Sequence, residues 1–570
     1  MATGANPQPL VVVRRKSPIS WMWDRQLEHY PNTVPRFTYL GIVVVSAIVL
    51  YYEFYVQGAV TPSVLVHYHM TFPFFDYVLV VGNLLGAFAS LLAGMADRWG
   101  RANLVVYGLL ITALVTLFAL PYAPNLWWYG VFYSLLGFVE GIILVATPAL
   151  IRDFSPQLGR CSAMAFWTLG PVIASLTVSL VSSHTLNHLH AWQDQFTICG
   201  IVGLGVFAIS FIGLRELSPG LRDQLMVSVR DRALIEARAA GIDVQESLHH
   251  PWKQMVKPFT LIPSLGIGMF LIIYYTLIAF LVTFMVTIFG YTQLRGNLLG
   301  NWVWASNAIA LVVVGLLSDR VRVRKPFMAL GVVLAMISTG YFAATTTDPT
   351  TSYYTFVVIL SLLAVGLGFV FSPWLAAYTE TVEAHNPALS ATGLAIWGWV
   401  LRIAVAGSLF ILPLVVTSMT PIIDHGPRVS AIVAAYPQQV QTLSAIDPVT
   451  RAALNANPGN VAAAGRAVAE IVQQERVNPA TALARLLSIT QIPRADLVYL
   501  NDHAAQVQKA LVAAPKEWQR WWWICFGTEA LIIPTMFLLK GRWNPRAARK
   551  EITEHEQEIQ LELAELAAHR

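Results

Sequence analysis

The feature that most restricts this chain is a series of apolar segments, each about 20 residues long, that recurs along most of its length. A helix rising ~1.5 Å per residue needs roughly 20 residues to cross a hydrocarbon layer. Windows of that kind fall at 36–58, 73–95, 102–121, 126–149, 161–183 and 196–214, and again at 260–288, 297–317, 326–345, 352–376, 391–416 and 519–540. In lipid a backbone must satisfy its own hydrogen bonds, so these windows predict an all-α membrane protein with 12 transmembrane helices. Composition agrees: of 570 residues 56 % are hydrophobic and only 12 % charged, with a mean hydropathy of +0.57. That balance excludes a soluble globule of this size.

The cationic residues set an orientation. Arg98, Arg101, Arg152, Arg160 and the run from Arg320 to Lys325 fall in loops on one side of the predicted spans, and the opposite turns carry almost none beyond Arg295. Cytoplasmic loops are enriched in Lys and Arg, so both termini are expected in the cytoplasm of a multi-pass inner-membrane protein. The same loops account for the net charge of +5 without invoking nucleic acid. Residues 1–35 read as a cytoplasmic tail without a cleavable signal, and 36–216 as a first six-helix bundle. Residues 217–258 form a central cytoplasmic loop, with an amphipathic helix expected over Leu221 to Ala240. Helices seven to eleven occupy 259–416 and helix twelve 518–541, leaving 542–570 for a cytoplasmic surface helix. Between helices eleven and twelve, 417–517 is expected to be an extra extracytoplasmic helical domain, with helix starts at Asp447-Pro448 and Asn478-Pro479. It is the one segment that invites a protein partner; otherwise a monomer or weak oligomer is expected. Cys161, Cys199 and Cys525 lie in apolar segments without metal-ligand spacing, and His184, His188 and His190 have only Asp194 as a nearby carboxylate. Neither a metal nor a cofactor is expected.

The halves are related. Asp97-Arg98 follows the second span as Asp319-Arg320 follows the eighth, and Arg160 to Trp167 opens the fifth as Ser390 to Trp397 opens the eleventh. Two pseudo-symmetric six-helix bundles are therefore expected, with a solute site near mid-membrane between them. The loop Ala93-Gly-Met-Ala-Asp97-Arg98-Trp-Gly100-Arg101 resembles the signature loop of the major facilitator superfamily, Gly-x-x-x-Asp-Arg-x-Gly-Arg, with Ala93 in place of Gly. The second copy keeps Gly315, Asp319 and Arg320 but has Arg322-Val323 in place of Gly-Arg. Asp153-x-x-Pro156-x-x-x-Arg160 is similar to a motif of sugar and metabolite porters, and Glu383 with Ser390 to Gly393 resembles its degraded repeat. Tyr51-Tyr52-Glu53-Phe54-Tyr55-Val56-Gln57-Gly58, with Pro62, resembles the metabolite:proton symporter pattern Trp-Tyr-Asp-Phe-x-x-Tyr-Gly, and a related spacing occurs in aromatic-acid:proton symporters. A carboxylate at one helix end can meet a neighbouring helix dipole, and arginines can pair with carboxylates on the same face. Asp97, Arg98, Arg101, Asp153, Arg160, Asp319, Arg320 and Glu383 are thus expected to latch one conformation.

A charge at mid-bilayer costs about 2.5–3.5 kcal/mol on insertion scales, so each one needs a partner, an aqueous cavity or a task. Four groups qualify: Glu53, Glu140, Arg402 and Glu529. Glu53, flanked by Tyr51, Tyr52 and Tyr55, is expected to carry protons, the alternative being a structural carboxylate held by tyrosines. Arg402 offers a forked donor set to a substrate carboxylate; the competing reading is a standing ion pair with Glu140 or Glu529. The family resemblance implies that helices one, four, seven and ten line the cavity. Glu140 then faces substrate as a second proton-coupling group, and Glu529 serves structure. Tyr51, Tyr52, Tyr55, Tyr274, Tyr275, Trp397 and Asn83 complete the expected ligand contacts. Gly82-x-x-x-Gly86 and Gly137-x-x-x-Gly141 suit close helix contact in lipid. These residues predict proton-coupled uptake of a small organic anion or zwitterion. Proton-driven export, or a non-transporting sensor or scaffold using 417–517, are the alternatives, and no pattern of an enzyme is present.

Overall fold

A computed structural model describes residues 22–91, 100–154, 160–189, 191–218, 251–385, 390–457, 459–541, 543–546, 550 and 557. The expected helices over Leu221 to Ala240 and most of 547–568 lie outside the described residues. The first six long helices are α1 Thr33–Tyr68, α2 Phe72–Leu91, α3 Arg101–Leu114, α4 Leu126–Phe154, α5 Arg160–Thr185 and α6 Gln193–Gly213. The second six are α7 Pro258–Phe289, α8 Gln293–Val321, α9 Lys325–Thr345, α10 Tyr353–Glu383, α11 Ser390–Val415 and α12 Arg494–Leu538. Among the described residues, eleven of these helices are long and apolar enough to cross a membrane; α5 packs among them as the twelfth.

Local chemistry explains where several of these helices start and stop. The side chains of Thr292 and Ser352 accept hydrogen bonds from the N–H groups of Arg295 and Thr355, capping α8 and α10. His69, Gly290 and Arg322 close α1, α7 and α8 in the left-handed conformation. Gly100, at φ 88°, precedes α3 and lets the Glu216 carboxylate accept from the Arg101 N–H, so a negative charge meets the positive end of that helix. Two helices carry internal irregularities: α3 continues through a π-helical stretch, Val115–Ala119, and α7 is interrupted at Leu271.

Packing shows the two-fold relation of the halves. In the first bundle α2 and α3 pack on α4, α1 on α5, and α3 on α6; in the second α8 and α9 pack on α10, α7 on α11, and α9 on α12. The bundles meet where α2 lies on α11 and α5 on α8, with α1 against α7. Twelve helices in two six-helix bundles is the architecture. Gly82 and Gly86 face Gly137 and Gly141, so that a Cβ on Gly137 would stand 2.7 Å from the Gly82 carbonyl. Only glycine permits α2 and α4 that approach.

Between α11 and α12 the chain forms a cluster of short helices: Met419–Asp424, Gly426–Ala435, Pro437–Ala445, Pro448–Ala456, Val461–Glu475 and Pro479–Ser488. Asp447, Asn460 and Asn478 cap the last three. Val429, Ile432, Leu443, Ile471, Ile492 and Leu500 are among the residues of its separate apolar core. The first half of α12 belongs to that core, so one continuous helix runs from the cluster into the bundle. Glu517 of α12 accepts hydrogen bonds from the Ser418 N–H (2.7 Å) and the Thr417 hydroxyl (3.1 Å), and helix Met419–Asp424 packs on α1 and α2. The cluster thus sits over the end of the bundle that carries the α1–α2 turn.

Candidate functional site

The centre of the molecule holds an ion pair that joins the two bundles. Arg402 of α11 donates from Nη2 to both carboxylate oxygens of Glu140 on α4, at 3.0 and 3.2 Å. Glu140 is buried, and 14 % of the Arg402 side chain is exposed. The pair forms because of the glycine contact between α2 and α4: a Cβ at Gly86 would lie 2.5 Å from Arg402 Nη1, so the missing side chain makes room for the guanidinium. Tyr51 of α1 and Tyr275 of α7 lie within electrostatic reach of both charges. Tyr55 packs beside Tyr51 with ring centroids 5.5 Å apart, and Tyr274 is edge-on to both Tyr275 and Trp304. The α7 interruption at Leu271 falls one turn before these tyrosines. A guanidinium, a carboxylate and a wall of phenols therefore converge from α1, α4, α7 and α11. Such a set can hold a carboxylate at its forked donor, a cation over ring faces, and a proton at the glutamate.

Toward the α1–α2 end the bundles close on each other. Asn297 of α8 donates to the Ala59 carbonyl of α1 (3.1 Å), Asn301 donates to the Ser183 hydroxyl of α5 (2.9 Å), and Gln293 reaches Ser63. Gly58 lies so near α7 that a Cβ there would stand 2.5 Å from the Ile278 carbonyl. Phe72 and Phe75 of α2 meet Phe280 of α7, and Tyr77 stacks on Phe410 of α11 at 5.5 Å. Just beneath this seal, Asn83, Leu79, Tyr275 and Val405 help line a cavity of ≈ 50 Å³. Asn83 itself donates back to the Leu79 carbonyl.

The other expected residues lie apart from that centre. α1 turns Glu53 away from the cleft: its carboxyl sits over Gly203 of α6 and beside Thr112 of α3, with neither oxygen in a well-formed hydrogen bond. The flanking tyrosines do not bind it, because Tyr51 and Tyr55 occupy the opposite face of the helix. Tyr52 does share its side of α1, next to Cys199, with its hydroxyl unpartnered. Glu529 accepts from the Thr339 hydroxyl at 2.8 Å, within the second bundle. Trp397 packs against Trp374 and Phe371, also inside that bundle.

At the α2–α3 end each bundle has its own ionic contact. Arg101 donates to both oxygens of Asp153, at 2.9 and 3.1 Å. In the second bundle Arg324 pairs with Asp319 (2.7 Å) and Glu380 (3.3 Å), while Arg320 points to solvent. Asp97, Arg98 and the side chains of Arg160 and Glu383 lie outside the described residues. Motif alignment stops at Arg320 and passes over Arg324, although an Arg at the start of α9 is the structural counterpart of Arg101 at the start of α3. A second omission is Asp76 of α2. It is fully buried and neither oxygen has a hydrogen-bond partner among the described residues.

Comparison with known proteins agrees with this architecture. Among solved structures the chain is similar to a bacterial homologue of the human lysosomal transporter Spinster, in an inward-facing and occupied conformation, at 15 % identity and a TM-score of 0.55, covering 88 % of this chain and 98 % of that one. At that identity the likeness shows the fold alone.

 A D-xylose-proton symporter matches at 13 % identity and a TM-score of 0.53, over 67 % of this chain and 90 % of that one. Among curated relatives, the glycine betaine/proline/ectoine/pipecolic acid transporter OusA of Dickeya dadantii (strain 3937) is 21 % identical over 345 residues, 57 % of this chain and 63 % of that protein. Hippocampus abundant transcript-like protein 1 of Mus musculus is 32 % identical over 230 residues, 39 % of this chain and 40 % of that protein. The chain therefore spans less than two thirds of the length of these curated relatives. The family model described as Major Facilitator Superfamily matches residues 43–420, most of both bundles. With that match, and with two six-helix bundles joined through a central ion pair, the chain belongs to the major facilitator superfamily and is a multi-pass membrane protein.

Proposed function

We propose that this protein takes up a small organic acid or zwitterionic metabolite together with protons, by alternating access. The observation that carries the reading is the Arg402–Glu140 pair, which spans the two bundles at the centre of the molecule. A solute carboxylate entering the cleft competes with Glu140 for the Arg402 fork. Glu140, left buried without its counter-charge, then takes a proton, because an unpaired ion in such a place costs several kcal/mol. Solute and proton are bound together and leave together when the cleft opens on the other side. A cationic group on a zwitterion has the ring faces of Tyr51, Tyr55 and Tyr275 to rest on. The solutes named for the OusA relative each combine a carboxylate with a cationic nitrogen, which supports this class. Glu53, enclosed within one bundle, is assigned no step.

The loops at the α2–α3 end carry the arginines, so that end is read as cytoplasmic. The sealed α1–α2 end and the helix cluster above it then face outward. Purified protein in liposomes with acid outside tests the coupling, with proline, glycine betaine and simple monocarboxylates as labelled probes. Wild type should concentrate at least one of them, and Glu140→Gln should exchange that solute across the membrane without concentrating it. Gradient-driven accumulation by Glu140→Gln at the wild-type level would refute the coupling role.

A further inference from the structure

The buried carboxyl of Asp76 has no task in the cycle described above. It lies in the first turns of α2, with no exposed surface and, among the described residues, no hydrogen-bond partner at either oxygen. Its direction follows from its neighbours. On a helix of ~3.6 residues per turn, Asp76 projects between the row that carries Phe72, in contact with Phe280 of α7, and the row that carries Tyr77, in contact with Phe410 of α11. Leu79 and Asn83, on the same face, line the cavity just beneath with Val405 and Leu409 of α11. The carboxyl is therefore enclosed where the first bundle closes on the second.

Among the described residues nothing nearby compensates a charge. α7 carries Tyr274 and Tyr275 as its ionisable groups and α11 carries Arg402, all deeper in the cleft. On α4, Tyr129 donates to Gln57 and Tyr133 stacks on Phe54, while Glu140 pairs with Arg402. On α1, Tyr68 donates to the Leu120 carbonyl and Tyr55 packs with Tyr51. Helix Met419–Asp424, which also packs on α2, has Asp424 at its far end, followed by His425.

We infer that Asp76 is a proton-binding site built into the outer seal, so that closing the α1–α2 end takes up one proton there and opening it returns that proton to the water. When the bundles part at this end, water reaches the carboxyl and it ionises. When they close, an ionised Asp76 would be stranded without a partner, so closure proceeds with the neutral acid. Acid on the outer side therefore favours closure, the direction uptake requires. This rests on the alternating-access part of the proposed function and adds a proton distinct from the one at Glu140.

The test is a distance measurement on the full chain in lipid nanodiscs. Spin labels at Tyr122→Cys and Tyr354→Cys, exposed positions next to α4 and at the start of α10, report the opening of that end. In the otherwise wild-type chain, the ratio of open to closed forms should rise with pH, by up to about tenfold per unit for one linked proton. Asp76→Asn should stay closed across the range, and Asp76→Glu should restore the pH dependence, which also shows that the position tolerates substitution. A pH response that persists unchanged in Asp76→Asn, or is absent from wild type and Asp76→Glu alike, overturns the inference. Glu140→Gln should keep the response while failing to concentrate solute, so the two assignments fail separately.

Discussion

Glycine and arginine cooperate at Gly86. The guanidinium of Arg402 occupies space that any larger residue on α2 would take, so Gly86→Val should push Arg402 off Glu140. Leaving a buried charge without its partner costs about 3–5 kcal/mol. The variant should therefore lose thermal stability and bind solute at least about tenfold more weakly, whereas Gly41→Ala, in open space, should change neither; melting and equilibrium binding check both. At this scale the sequence was informative about which residues matter and poor about where they point. Glu140 and Arg402 stand out because ionisable groups are rare in apolar spans. The direction of Glu53 was not readable, since α1 is buried on nearly every side and its apolar residues mark no single face. Asp76 escaped notice because it falls near the start of an apolar window, where a carboxylate looks like a loop residue.

Among the elements, the helix cluster between α11 and α12 offers a pH signature of its own. Burial pushes the Asp424 carboxyl up to about 6, above the ordinary aspartate value of about 4. Between those values the folded cluster holds a proton that the unfolded chain does not, so its stability falls as pH rises through that window and levels off above it. Asp424→Asn should remove this component, and the difference between wild-type and variant melting temperatures, followed from pH 4 to 7, should shrink toward low pH. Segment ends were harder to read than segment existence. The window 36–58 falls inside α1, but the helix continues to Tyr68 because Ala59 and Ser63 are held by α8. The window 519–540 is only the second half of α12, whose polar first half is helical through the cluster core that it completes. Hydropathy registers the lipid boundary, whereas the hydrogen-bonded helix runs past it.

Across the whole molecule, the arrangement on which the proposed transport rests is asymmetric along the membrane normal. Hydrogen bonds and aromatic contacts hold the bundles together at the α1–α2 end, the central ion pair ties them once more, and at the other end Arg101 pairs with Asp153 in the first bundle and Arg324 with Asp319 in the second. The pair can yield to a solute only if Arg402 is what the solute binds. The most direct measurement is the equilibrium affinity of Arg402→Ala for the solute that wild-type protein concentrates in liposomes. Truncating one member of a buried charge contact costs about 2–5 kcal/mol, so we predict an affinity loss of about 30-fold or more. An affinity within about threefold of wild type, in a variant that remains folded, would contradict a solute site at Arg402.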